Sequence, residues 1–228
     1  MGMKRSCVQK VFLLAVLFMC MGMSRAGAAG EGNLILVNRE NPLPENYEPI
    51  DLVMLETVIP DGLCGYEHEG IRGTREAAQA WVRLLCAARE DGLTRFCFSE
   101  GYRTREEQQQ LWDEAVESYR KSYDMTTERA EEAAAMTVAL PGESEHHTGL
   151  AFDITVPGEY FGDTAEYSWM RRHCAEFGFI QRYTEEKYDE TGYEEEEWHY
   201  RYVGVENALF MTENDLCLEE YFVLCAGQ

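Results

Sequence analysis

Two short segments, far apart in the chain, each carry side chains suited to the same metal ion, so any fold open to this sequence has to bring them together. The first is Ser144-Glu145-His146-His147-Thr148-Gly149-Leu150-Ala151-Phe152-Asp153, and the second is Glu196-Glu197-Trp198-His199-Tyr200-Arg201-Tyr202-Val203. His146, Asp153 and His199 offer two imidazoles and a carboxylate. Such a set leaves a fourth zinc position open to water, the arrangement of a catalytic rather than a structural site. Glu196, three residues ahead of His199, supplies a carboxylate able to take that water's proton. The pattern predicts one catalytic Zn2+ per chain and a hydrolytic reaction.

The length of 228 residues suits one domain with a sizeable core, or a domain with a small extension. Residues 1–10 carry Lys4, Arg5 and Lys10, residues 11–23 are uncharged and apolar, and Ala26-Gly27-Ala28 follows as a small-residue cleavage site. This predicts a secretory signal peptide over residues 1–28, with an uncleaved N-terminal anchor as the alternative. The expectation is an exported protein, extracellular or held at the membrane by the N-terminal segment. Four of the 20 basic residues and none of the 42 acids lie in residues 1–28, so 16 bases face 42 acids in the remainder, a formal charge of −26. Such a surface repels nucleic acid and anionic membranes, which excludes both as partners, apart from a membrane held through an uncleaved N-terminal segment. Its plainest role is solubility. Cys64, Cys86, Cys97, Cys174, Cys217 and Cys225 remain, an even number that permits disulfides in an exported chain. Three of them, Cys86, Cys97 and Cys174, sit in apolar stretches, where a buried thiol is the commoner role.

Residues 33–37 read as a short strand, and the prolines from Pro42 to Pro49 predict an extended arm over residues 29–60. The catalytic zinc domain is expected over residues 61–228. Helical spacing runs through 74–91, with Ala77, Ala80, Trp81, Leu84, Leu85 and Ala88 on one face, Thr74 as N-cap and Gly92 as stop. A second helix is expected over 104–123, capped by Thr104 with a stripe of Gln108, Leu111, Trp112 and Ala115, and a third over 127–138. Strands are expected at 93–98, 150–155, 179–182 and 198–203, and further helices at 164–177, 205–213 and 218–224. In the strand 150–155 the alternation places Asp153 away from the face of Phe152 and Ile154, as a ligand carboxylate requires. Helices and strands mix without a βαβ rhythm. The fold class is therefore α+β, a single domain with a small, mainly antiparallel sheet flanked by helices.

From residue 36 to residue 221 the chain resembles the zinc D,D-carboxypeptidases of the vancomycin-resistance Y type, which trim peptidoglycan stem peptides. The resemblance is carried by Leu36-Val37-Asn38 with Asn41-Pro42-Leu43-Pro44, by Gly101-Tyr102-Arg103-Thr104 with Gln108, and by Pro141-Gly142 before Ser144-Glu145-His146. It continues through Gly178-Phe179, Arg182-Tyr183 and Thr191-Gly192 to Glu196-x-Trp198-His199 and Tyr202-Val203-Gly204. It implies zinc ligands at His146, Asp153 and His199, Glu196 as catalytic base, and Arg103 as the group that holds the substrate. Ser144 and Gln108 match further substrate-side positions. Three positions depart from the family pattern: Glu197 stands where Pro is usual, Glu100 where Ser often precedes Gly-Tyr-Arg, and His147 where Gln is common.

The expected substrate is a D-Ala-terminated peptidoglycan stem peptide, cleaved by a monomer. An L,D-carboxypeptidase or cross-link endopeptidase on the same scaffold is the alternative within enzymes, and a non-catalytic wall-binding module the alternative outside them. His147 is expected beside the metal centre or at the surface, and His68 and His173 in structural or exposed roles. Of the acidic run 194–197 only Glu196 is assigned chemistry, the rest being a solvated face. Glu196 and His199 would oppose each other on a regular strand, so Glu196 is expected in a turn or bulge just before it.

Overall fold

A computed structural model describes residues 32–226; the segment 1–28 lies outside them. The chain enters through a 3-10 turn and strand β1 (Leu52–Met54), then β2 (Gly65–Tyr66), β3 (Arg72–Thr74) and helix α1 (Arg75–Glu90). β4 (Cys97–Glu100), α2 (Arg105–Tyr123), α3 (Thr127–Ala134) and β5 (Ala151–Thr155) follow. The second half holds α4 (Ala165–His173), β6 (Phe179–Tyr183), α5 (Tyr188–Thr191), β7 (Glu196–Tyr202), α6 (Val205–Glu213) and α7 (Leu218–Ala226). No helix among the described residues is long and apolar enough to cross a membrane.

The predicted α+β class holds, with a larger and more mixed sheet than expected. Five strands run in the order β2-β4-β5-β7-β6, and β1 and β3 form a separate two-stranded sheet. The four strands from β4 to β6 pair antiparallel, but β2 lies parallel to β4. The chain leaves β2 and crosses through β3 and α1 before re-entering the sheet, which is what a parallel neighbour requires. A two-residue strand has no periodicity to read, so this edge is invisible in the sequence.

One face of the sheet packs on α1. Thr74 caps that helix by accepting from the Ala77 N–H, and Trp81, Leu84 and Ala88 on its inner face are fully buried. Trp81 lies at the centre, its ring 4.4 Å from Phe179 and edge-on to Phe98 and Phe152 at 5.0 and 5.9 Å. Phe152 and Ile154 point into this core from β5, and Tyr200 from β7. Their neighbours in sequence, Asp153 and His199, therefore project from the opposite face, and the two are direct partners across the β5–β7 ladder. A second apolar cluster joins Ile180 and Val203 to Leu36 and to Ala208, Met211 and Leu218 of the terminal helices.

Several local expectations are corrected. Residues 33–37 are not a strand: Gly32–Leu34 is a 3-10 turn, and the carbonyls of Asn33 and Ile35 accept from the Arg201 guanidinium instead of a neighbouring strand. In α2 the stripe is shallow, with Gln108 buried and Leu111 exposed, so this helix is held by its capping box at Thr104 and Glu107 more than by burial. The helix expected to 177 finishes as an α-helix at His173 and continues as a 3-10 turn, Cys174–Phe177. All six cysteines of residues 32–226 are free, and Cys86 is exposed because it falls outside the buried stripe of α1.

Candidate active site

The loop before β5 and the strand β7 build the site between them. The 3-10 turn Glu145–Thr148 starts at Ser144, whose hydroxyl accepts from the His146 N–H at 3.3 Å, and it stops at Gly149 in a left-handed conformation with φ 67°. This turn sets His146 beside β5. The ligand-ready atoms of His146, Asp153 and His199 lie within 4.8 Å of one another. His146 Nε2 is 3.4 Å and His199 Nδ1 2.9 Å from Asp153 Oδ1.

The rings are oriented for a shared ion. His146 Nδ1 donates to the Gly101 carbonyl at 2.7 Å, which turns Nε2 toward Asp153. His199 faces Asp153 through Nδ1, while its Nε2 lies 3.4 Å from Glu145 Oε2. Burial pushes His146 down to about 4, and the Arg103 guanidinium adds to that, so its lone pair is free at neutral pH. Burial would also lower His199, but the Asp153 and Glu145 carboxylates outweigh it and hold the group up at about 10. Asp153 is buried, yet His146 and His199 keep it well below the usual carboxylate range. Three carboxylates, Asp153, Glu145 and Glu196, thus converge on one histidine and call for positive charge between them. Two imidazoles and a carboxylate at this spacing fit zinc.

Glu196 is the first residue of β7, and its Oε2 lies 3.8 Å from His199 Nδ1. Strand alternation alone would put it on the other face. The pairing with β6 is irregular here: Gln181 faces Tyr200, whereas Tyr183 faces Glu196, so β7 carries two extra residues between those pairs. The irregularity thus lies inside the strand rather than before it, and Glu196 at its end lies beside His199. Burial raises the Glu196 carboxyl to about 7, with His199 working against the rise.

The other members of the acidic run are not plainly solvated. Glu195 accepts from Tyr167 Oη at 3.3 Å and Gln181 Nε2 at 3.2 Å. Glu197 accepts from the Tyr160 hydroxyl, turned toward the loop that contains Gly162. Glu194 is exposed.

Arg103 is tied to the metal-ligand turn by its backbone. Its N–H donates to the His146 carbonyl at 3.3 Å, and its own carbonyl accepts from His147 Nδ1 at 2.8 Å. His147 is buried and serves this joint, not the metal set. The guanidinium donates through Nη1 to Gln108 Oε1 at 3.0 Å and approaches Glu100 Oε2 through Nε at 3.3 Å. Gln108 itself is buried and donates to the Ala139 carbonyl at 2.7 Å, so in this structure it orients Arg103. Ser144 acts as the cap of the His146 turn. A cleft of about 320 Å³ opens beside Arg103, bordered by Glu100, Tyr102, Glu107 and His68. His68 and His173 stand apart from the metal set, the first bonded to the Glu69 and Ser99 carbonyls and the second to Glu176.

Sequence reasoning assigned no role to Glu145, Arg182 or Arg201, all buried around the outer edge of His199. One signal was available for Arg201: it lies two residues from His199 on β7 and so shares its face.

Residues 71–205 match the VanY family, described as D-alanyl-D-alanine carboxypeptidase. A D-alanyl-D-alanine carboxypeptidase of Enterococcus faecalis is 40% identical over 195 residues, 86% of this chain and 67% of that protein. The solved structure of the vancomycin-resistance D,D-pentapeptidase VanY, in complex with Zn(II), aligns with a TM-score of 0.70 at 40% identity, covering 83% of this chain and 98% of that one. The structure of the L,D-carboxypeptidase LdcB aligns with a TM-score of 0.68 at 39% identity, covering 82% of this chain and 84% of that one. The fold, the His–Asp–His group and these similarities agree: the chain belongs to the VanY D-alanyl-D-alanine carboxypeptidase family.

Proposed function

We propose that this chain is a zinc-dependent D-alanyl-D-alanine carboxypeptidase that removes the C-terminal D-alanine from peptidoglycan stem peptides. The observation that carries the reading is the convergence of His146, Asp153 and His199 with a further, non-ligand carboxylate, Glu196, 3.8 Å from His199. His146, Asp153 and His199 would hold zinc, which would supply a Lewis acid able to acidify a water and to stabilise charge on the scissile carbonyl oxygen. Glu196 takes the proton released from that water and passes it to the departing amine. Its carboxyl, raised by burial to about 7, can serve in both directions near neutral pH. Arg103 holds the terminal carboxylate of the substrate, because a planar guanidinium fork matches it at two points. Gln108 and the joint to His146 keep that fork at a fixed distance from the metal ligands. Confinement of cleavage to the last residue follows from this fixed distance.

The cellular setting belongs to the same proposal. Residues 1–28 have the composition of a signal peptide, residues 29–60 form an arm and residues 61–228 the catalytic domain, exported to act on the cell wall as a monomer. The similarity to an L,D-carboxypeptidase structure favours one second reading, cleavage of tetrapeptide stems. Purified protein incubated with pentapeptide, tetrapeptide and cross-linked stems, with products read by mass spectrometry, decides between them. Release of D-alanine from pentapeptide alone is the expected result; release from tetrapeptide alone transfers the assignment to the second reading, and no release from any stem refutes both.

A further inference from the structure

Behind His199 lies a buried polar system that the catalytic proposal leaves unused. Glu145 is 2% exposed and sits at its centre. Its Oε1 accepts from Arg182 Nε and from Arg201 Nη1, each at 2.8 Å, and its Oε2 lies 3.4 Å from His199 Nε2. Both arginine side chains are fully buried, at 0% exposure. One carboxylate cannot balance two buried guanidinium ions, and the balance comes from outside the motifs. Arg182 donates through Nη1 and Nη2 to the two carboxylate oxygens of Glu219 on α7, at 2.9 and 2.6 Å. Arg201 donates through Nη2 to the carbonyls of Ile35 at 2.8 Å and Asn33 at 3.2 Å. Asn38 closes the circuit by donating to Glu219 Oε1 at 3.1 Å.

The two outer anchors, residues 33–38 and Glu219, lie far from His199 in the sequence, near the two ends of the described residues. A continuous run of charge-assisted contacts therefore leads from the N-terminal segment and the last helix, through Arg182 and Arg201, to Glu145 and then to a metal-ligand ring. The physical consequence is orientation. With Nε2–H of His199 donating to Glu145, the ring presents Nδ1 to Asp153 and Glu196, and a histidine ligand whose outer nitrogen is fixed in this way binds its metal more tightly. Without Glu219, Arg182 turns its uncompensated charge on Glu145 alone, and the carboxylate shifts away from His199.

We infer that Glu145 is a positioning residue for the metal ligand His199, and that Glu219 in the terminal helix, with the 33–38 segment, completes its support, so that metal affinity in this chain depends on residues at both of its ends. The inference rests on the zinc reading above, and its test separates the two. Full-length protein stripped of metal is titrated with zinc against a chromophoric chelator, and its fold is followed by circular dichroism. Glu145→Gln is expected to weaken zinc binding on the order of 10–100-fold, and Glu219→Gln about 3–10-fold, as for partners one and two steps behind a ligand. Glu220→Gln is the control: Glu220 is the next residue on the same helix but bonds to Lys187 and the Cys217 N–H, outside the circuit, and its zinc affinity should equal that of the parent. Should Glu145→Gln fail to fold, Glu219→Gln decides alone, since its side chain is on the rim at 15% exposure. A folded Glu219→Gln protein with the parent's zinc affinity overturns the inference and leaves the zinc reading intact. A parent protein that binds no zinc refutes the zinc reading itself.

Discussion

Glu196 and its neighbours in the run 194–197 differ by environment, not by chemistry. Only Glu196 approaches the metal-ligand set, while Glu195 and Glu197 are held by tyrosines. Glu196→Gln keeps the shape but cannot accept a proton. Turnover should fall on the order of 10²–10⁴-fold with zinc content unchanged, measured by D-alanine release and elemental analysis. Glu195→Gln and Glu197→Gln should change turnover little, and if Glu197→Gln alone abolishes it, the base lies one residue later. His199→Ala removes a ligand, so metal and activity should be lost together. Arg103→Lys retains charge but not the two-point fork; weaker substrate binding with metal retained is expected, and an unchanged KM would remove Arg103 from the role of clamp.

At the scale of elements, the site depends on two departures from regularity. The first is the pair of extra residues in β7 against β6, at the point where Glu196 approaches His199. The second is the close approach of Gly101 to β3. A Cβ at this position would collide with the Arg72 carbonyl oxygen and come within 2.9 Å of Ile71 Cγ2. The Gly101 carbonyl also receives His146 Nδ1. Gly101→Ala should therefore displace both His146 and the adjoining Arg103, lowering zinc affinity in a chelator competition even where the protein still folds. A zinc affinity equal to that of the parent would show that the strand gives way without moving the ligand.

Over the whole molecule, the sheet separates stability from chemistry. One face closes on α1 around Trp81, and the other carries the metal ligands. Trp81→Ala should cost about 3–5 kcal/mol in denaturant unfolding, since it empties the centre of an aromatic cluster. The His146, Asp153 and His199 group, drawn from the 145–148 turn, β5 and β7, exists only in the folded state, so zinc held there would stabilise that state. Chelation should accordingly lower the thermal midpoint of the parent protein and leave that of His199→Ala unmoved.

The metal set was legible in the sequence because its signals are local. The spacing of His146 and Asp153 in one motif, and the alternation of Phe152 and Ile154 against Asp153, are properties of neighbouring residues and need no knowledge of distant contacts. The inner face of α1 was readable for the same reason. The approach of Glu196 to His199, by contrast, falls where the pairing of β7 with β6 is irregular, which periodicity within β7 cannot report. The parallel edge at β2, too short to carry a pattern, exists only through pairing with β4. Glu145 looked like one more acid in an acidic chain. Its burial became possible only where β6, β7, α7 and the 33–38 segment close around it, because a charge leaves water only when partners brought from elsewhere in the chain replace that water.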